Sequence, residues 1–344
     1  MNYRRITTTE ISGMTTAKSD IKRGVSLYSF QQEYYLGQMT LEQCIAKCAE
    51  LGANGIEIVS EMMLPGFPKY GPEVYSQWHG MMERYGTTPT CHDMFYDSKR
   101  FKGQLMSDDE AVESLSIDLR HAKKLGCFCI RVLVLTPIAV MERCIPLAEV
   151  LGVKMLLEIH SPWHLDHEFI QKHFEMYKRS GSKFVGFMPD MGIFVKSFPR
   201  VITDRYLRDG ATPHLVERIL AGYDNHDDLS ALPGEIESRG GTAKDIALAR
   251  MAGHYVYSNP RRMLDFMPWI GHIHGKFYDM TAECIEPSIP YEDVLPVLAE
   301  GGYQGYISAE YEGQRHIQDV FEVDSVGQVE RFQIMLSKLI AQVQ

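Results

Sequence analysis

Apolar residues alternate along this chain between two textures: short continuous runs, and longer stretches with the three- and four-residue spacing of an amphipathic helix. The clearest run is VKMLLEI, residues 153–159, where Val153, Met155, Leu156, Leu157 and Ile159 are too continuous for a half-solvated strand. It predicts a parallel strand covered on both faces, and Pro162 closes off regular pairing just beyond it. The same unit recurs on either side. A first strand, GVSLYSF (24–30), runs into a polar aromatic loop (31–35). A helix follows, opened by Thr40 with Gln43 at the capping-box position and closed by Gly52, and then the strand GIEIV. Helices over residues 72–86, 107–126, 138–152 and 165–181 lead in turn to TPTCHD, CFCIRVLV, the run at 153–159, and KFVGFMPDMG. After an interruption come HIHGKFYD, the short helix YEDVLPVLAEGG, YISAEYEG, and a last helix over 325–343.

Strand and helix in strict alternation require parallel strands with right-handed crossovers. Eight such units close an α/β (β/α)8 barrel, a TIM barrel. An open doubly wound sheet is the competitor, but no GxGxxG follows the first strand and no GxxxxGK[ST] occurs. Residues 1–22 read as a polar N-terminal arm without the apolar core of a secretory signal, and 23–344 as a single barrel domain. The interruption, residues 193–270 between strands six and seven, is too long for a plain loop. It leaves the carboxyl end of strand six and is expected to serve as a lid or an oligomer contact.

Charge and cysteine content narrow the partners. A formal net charge of -10, from 35 Lys and Arg against 45 Asp and Glu, gives no overall electrostatic footprint for DNA or RNA. No window has the continuous apolar length of a membrane span. Seven cysteines, scattered without paired zinc-knuckle spacing, fit reduced thiols in a cytoplasmic core.

The chemistry is expected at the carboxyl ends of the barrel strands. Glu158 and His160 lie there on strand five, Asp190 on strand six, His272 and His274 on strand seven with Lys276 on the same face, and Glu310 and Glu312 on strand eight with Ser308. One carboxylate so placed is readily explained as a buried ion pair. Four consecutive strands converging on one mouth are not, because the carboxylates would repel one another without a cation. Two Glu, one Asp and one His make an octahedral site of hard oxygens and one nitrogen, which favours Mn2+ or Mg2+, with Co2+, Fe2+ and Zn2+ also compatible. His92 and Asp93 end strand three and either face the pocket or cap a loop. Trp163 and Phe95 are candidate stacking platforms for a sugar or aglycone, with core packing the plainer reading.

E-x-H on strand five, PDMG on strand six, GHIHGK on strand seven and AEYEG on strand eight resemble the xylose-isomerase-like barrels of sugar and sugar-phosphate isomerases and epimerases, over essentially the whole chain after Lys22. The resemblance implies one metal ion per chain held by Glu158, Asp190, His274 and Glu310. Within the family, GVSLYSFQQEYYLGQMTLEQCI and His160 resemble the large subunits of bacterial C-glycoside deglycosidases. That implies metal-dependent cleavage of the carbon–carbon bond of 3-oxo-C-glycosides by enolisation and elimination, with His160 as base and a smaller β-sandwich-like partner subunit. His272, Lys276, His92 and Trp163 are then candidate contacts to a sugar-derived substrate, in a chain expected to work as part of an oligomer. The runner-up is a sugar or keto-polyol isomerase or epimerase, with Glu158 and Glu310 moving a proton between faces of a carbon. Two departures weaken it: many epimerases carry His three residues after the strand-six Asp, where this chain has Ile193, and the insertion before strand seven exceeds that of the simplest members of the family.

Overall fold

The computed structural model describes residues 18–99, 102–255 and 257–344. Most of the polar arm, residues 1–17, lies outside the described residues. Eight strands form one parallel sheet: β1 (Lys22–Ser26), β2 (Gly55–Ile58), β3 (Thr88–Asp93), β4 (Cys129–Val132), β5 (Lys154–Ile159), β6 (Val185–Pro189), β7 (Ile273–Phe277) and β8 (Tyr306–Tyr311). Their order is β6-β5-β4-β3-β2-β1-β8-β7, so the first and last strands pair and the sheet curls into a barrel. The join between β6 and β7 carries two isolated parallel bridges, Phe187 with Ile270 and Asp190 with His274. Gly186 sits at this join, where an added Cβ would meet the Trp269 carbonyl oxygen at 2.3 Å.

The helices begin and end where the chain supplies the right caps. Thr40 and Ser107 each form a reciprocal capping box, with Gln43 and Glu110. Gly126 takes the left-handed conformation (φ +82°) that terminates the helix Asp108–Leu125 and turns the chain into β4. Both faces of the strands are buried. The inner face is filled in part by polar side chains, while Val25, Ile56, Ile58, Ile130 and Leu157 belong to the continuous apolar core.

Strand limits differ from the pattern in one instructive way. The run over 24–30 is strand only to Ser26, and Leu27–Phe30 form a 3-10 turn leading into the helix Gln31–Tyr35 rather than a loop. At its other end β1 starts earlier, because Lys22 N–H bonds the Gly305 carbonyl. Apolar residues continue past Ser26 because the turn is itself buried, so periodicity alone cannot mark the strand's end.

The stretch 193–270 is helical throughout its larger part: Arg200–Arg208, Pro213–Asp224, Leu232–Ser238 and Ala243–His254. Asp245 binds it together, accepting bonds from Thr212 and Thr242, and Arg218 pairs with Glu235 through two bonds. Arg208 reaches the segment after β8 through Asp319. Among the described residues no helix is long and apolar enough to cross a membrane.

Candidate active site

Register sets the donors side by side. Asp190 bridges His274 across the β6–β7 join, and Lys276 stands opposite Glu310 in the β7–β8 pairing. Glu158, near the end of β5, is reached from β4 by Arg131. The result is a cluster in which one donor atom from each of Glu158, Asp190, His274 and Glu310 lies within 4.8 Å of the others, all four residues being buried.

The His274 ring is held at both nitrogens. Nδ1 is 2.8 Å from Glu158 Oε1 and 3.5 Å from Glu310 Oε2, while Nε2 is 3.1 Å from Glu57 Oε1. Nδ1 therefore faces the cluster and Nε2 faces Glu57. Glu57 is wholly buried on β2, and its other oxygen lies 2.8 Å from His272 Nε2, which also meets Ser308 Oγ at 2.9 Å. A carboxylate behind a ligating imidazole fixes its tautomer and raises its basicity. Burial would raise the Glu57 pKa, but His274 and His272 overcome it and hold the carboxyl well below the usual range. We expect Glu57→Gln to weaken divalent-metal affinity by about 10- to 100-fold, read as competition with a metallochromic chelator. An unchanged dissociation constant would show the contact to be packing only.

Arg131 is buried between two acids, with Nη1 3.0 Å from Glu158 Oε2 and Nε 3.5 Å from Asp93 Oδ1. Against the opposing effect of burial, Arg131 and His274 keep Glu158 well below its ordinary pKa. Asp93 moves the other way, raised well above its ordinary value by burial and by Glu57. Lys276 Nζ lies 2.5 Å from Asp190 Oδ2, 3.5 Å from Glu310 and 3.6 Å from Glu312. These acids, Asp190 foremost, outweigh burial and hold the ammonium charged. Glu310 is also raised: burial, with Asp190 and Glu158 beside it, leaves its pKa at about 7 despite His274 and Lys276.

These residues fit a divalent cation. Glu57, Asp93, Glu158, Asp190 and Glu310 are all buried here, against Arg131, Lys276 and one imidazole as compensation. Glu310 Oε2 accepts no well-formed hydrogen bond. Carboxylate oxygens with one imidazole nitrogen suit Mn2+ or Mg2+ and tolerate other first-row ions.

Above the cluster opens a cavity of about 250 Å³, lined by Tyr28, Asp93, Phe95, Arg131, Glu158, His160, Lys276, Glu310 and Glu312 among others. His160 stands at its edge, just past the end of β5. Its Nδ1 is 2.5 Å from the Ser161 carbonyl, which can only accept, so Nδ1 carries the proton. In the neutral ring the lone pair is then on Nε2, which lies 3.7 Å from Asp190 Oδ2.

Three expected substrate contacts lie elsewhere. His272 sits one step toward the amino end of β7, buried beneath His274. His92 points out of the barrel, bonded to Ser60 Oγ and to Asp118 at 2.8 Å each. Trp163 packs on the core with its ring 6.4 Å from Phe169. None of the three lines the cavity. Nor, among the described residues, does any residue of the stretch 193–270. Glu57 and Arg131 were not among the candidates, although each stands out as a charge inside an apolar strand, GIEIV and CIRV.

The model of the xylose isomerase-like TIM barrel matches residues 45–325. The chain belongs to that family. A 3'-dehydrocarminate deglycosidase alpha subunit from Microbacterium sp is 31% identical over 87% of this chain and 90% of its own. A C-glycoside deglycosidase alpha subunit from Microbacterium trichothecenolyticum is 30% identical over 85% and 83%. Proteins of known structure share the architecture at low identity. An L-ribulose 3-epimerase superposes with a TM-score of 0.57 at 11% identity, covering 94% of this chain and 95% of its own. The IOLI protein with a bound zinc atom gives 0.56 at 14%, covering 94% and 99%.

Proposed function

We propose that this chain is the catalytic subunit of a C-glycoside deglycosidase, a metal-dependent carbon–carbon lyase acting on 3-oxo-C-glycosides. The observation that carries the reading is His160: an imidazole at the edge of a cavity lined by Glu158 and Glu310, with its Nδ1 on the Ser161 carbonyl and its Nε2 3.7 Å from Asp190, beside the cluster of candidate metal donors. Glu158, Asp190, His274 and Glu310 would hold a divalent ion, Mn2+ by preference. Such an ion supplies Lewis acidity toward the oxygens of a bound keto sugar.

The chain's own groups do the rest. A ketone at sugar carbon 3 acidifies the hydrogen on carbon 2, and His160 Nε2 removes it as general base. The electrons form the enolate; its collapse makes the double bond between carbons 1 and 2 and breaks the bond to the aglycone carbon, which takes up a proton. Protonating an oxygen, the device of ordinary two-carboxylate glycosidases, cannot break this bond. Lys276, held charged among acids, is placed to donate hydrogen bonds to sugar oxygens. Glu158 is anchored by Arg131, as suits a ligand better than a mobile proton carrier, which favours elimination over the isomerase or epimerase alternative.

Relatives named alpha subunits support a smaller beta subunit as partner, with the stretch 193–270, beside the mouth rather than over it, as an assembly surface. All seven cysteines are free thiols, in keeping with the cytoplasm.

The test pairs metal content with turnover. The chain, co-expressed with its small subunit, should carry one divalent ion and release aglycone from a 3-oxo-C-glycoside. Asp190→Ala and His274→Ala should lose both. Unchanged metal stoichiometry in both variants would sink the site, and epimerisation of a free ketose without aglycone release would move the assignment to the alternative.

A further inference from the structure

A cavity of about 500 Å³ opens within the stretch 193–270, at the ends of the helices Pro213–Asp224 and Ala243–His254 and in the loops that follow them. It shares no lining residue with the cavity over the metal donors. Four rings wall it, those of Tyr223, His226, Tyr255 and Tyr257. Asp227 and Asp228 lie on the lining with them, and among the described residues no Lys or Arg does. Asp228 accepts the Ser230 N–H at 2.9 Å. Arg218 reaches over Gly222 toward Asp227, but its guanidinium is committed to Glu235 by two bonds.

The rings are set in place by the protein itself. Tyr223 and Tyr255 both meet Phe198 edge to face, at 5.5 and 5.7 Å. Tyr223 donates its hydroxyl to the Val195 carbonyl at 2.9 Å, and Tyr255 meets Tyr278, just past β7, edge to face at 6.0 Å. Both tyrosines are therefore anchored to the segments that leave β6 and β7. His226 stacks on Tyr257, with ring centres 5.3 Å apart and 20° between the planes. It holds that place at φ +57°, a left-handed backbone in which glycine is the relaxed choice. The imidazole is kept there at a conformational cost, and what it supplies is a second stacked wall.

We infer that this cavity binds a small organic cation with a quaternary or alkylated ammonium head. The faces of aromatic rings carry partial negative charge and attract cations that shed their water easily, which alkylated ammonium groups do. Asp227 and Asp228 add formal negative charge at the same wall, and the same two carboxylates repel anions. The volume lies within the range that holds a whole small molecule, about 300–1,000 Å³. It exceeds the needs of one ammonium group and leaves room along Leu229 and Ala252 for a short chain attached to it. The site stands apart from the metal donors and does not depend on the deglycosidase reading.

The probe is choline chloride, titrated by calorimetry into the full chain in sodium-based buffer at fixed ionic strength. Choline should bind, and its neutral isostere, with a tert-butyl group in place of trimethylammonium, should bind at least about tenfold more weakly. Tyr257→Leu and Asp227→Asn should each weaken choline by about three- to thirtyfold, the range for one cation–ring or partly desolvated charge contact. Tyr257→Phe keeps the ring and should bind as wild type does. His226→Gly relaxes the backbone but removes the stacked wall, so it should keep the thermal midpoint of wild type and still bind choline more weakly. That variant carries the test if Tyr257→Leu fails to fold. Asp190→Ala, in the metal cluster, should leave choline affinity unchanged. Absence of choline binding, equal binding of the neutral isostere, or an affinity indifferent to Asp227, His226 and Tyr257 would overturn the assignment. Loss of choline binding in Asp190→Ala would overturn it too, by moving the cation to the metal donors.

Discussion

Alanine in place of His160 should leave the full complement of divalent ion in the protein and slow carbon–carbon cleavage by about 10²- to 10⁴-fold, the usual worth of a general base. Metal retention is expected because four donors come from Glu158, Asp190, His274 and Glu310 without it. The rate loss is expected because the Ser161 carbonyl fixes the proton on Nδ1 and leaves Nε2 as the free base at the mouth. Exchange of the carbon-2 hydrogen with deuterated solvent should fall in parallel with turnover. His160→Asn, which can keep a hydrogen bond to Ser161 but offers no basic nitrogen, should be as slow as the alanine variant. Wild-type exchange in either protein would return the base to Glu158 or Glu310, and with it the isomerase reading.

Arg131→Met should destabilise the metal-free protein by about 3–5 kcal/mol, the cost typical of removing one partner from a buried ion pair. Methionine replaces the volume but leaves Glu158 and Asp93 facing each other across an apolar side chain. Burial and Glu57 already raise the Asp93 pKa whereas Glu158 is held low, so Asp93 takes up a proton more readily once the guanidinium is gone and Glu158 bears most of the penalty. Divalent metal should therefore recover part of the loss by neutralising Glu158. Arg131→Lys should fall between, since an ammonium keeps the charge but not the planar fork that reaches two carboxylates. Denaturant midpoints with and without metal measure all three proteins, and an Arg131→Met midpoint matching wild type would show that the pair carries no stability.

The barrel was legible because its repeat is carried by caps as well as by apolar pattern: Thr40, Ser107, Gly126 and Gly152 each mark a helix end that the structure contains. The clustering of Glu158, Asp190, His274 and Glu310 could be read because Glu158 and Glu310 interrupt apolar strands next to their carboxyl ends, Asp190 follows the end of its strand, and His274 belongs to an alternating H-x-H-x-K face on the next one. What could not be read was which way a polar residue points when both faces of its strand are buried. His92 and Asp93 are neighbours, yet one turns outward to Asp118 and the other inward to Arg131. Depth was hidden for a similar reason: His272 shares a face with His274 but stands two residues nearer the amino end, where it holds Glu57 and cannot meet the mouth. Glu57 and Arg131 escaped because a charge midway along an apolar run has meaning only beside its partners, and those come from other strands.

Seven neighbouring strand pairs of the barrel are stitched by ladders, β2–β3 with a register shift at Ile56/Glu57, whereas β6 and β7 meet at two isolated points. One of those points is Asp190 with His274, two of the four candidate metal donors. An ion gripped from both sides of that join would clasp the hoop where backbone bonding is thinnest. Occupancy of the centre and closure of the hoop would then be one equilibrium: whatever holds the ring shut would raise affinity for the ion, and the ion would hold the ring shut by the same amount. The proposed metal centre would thus also be the last buckle of the fold.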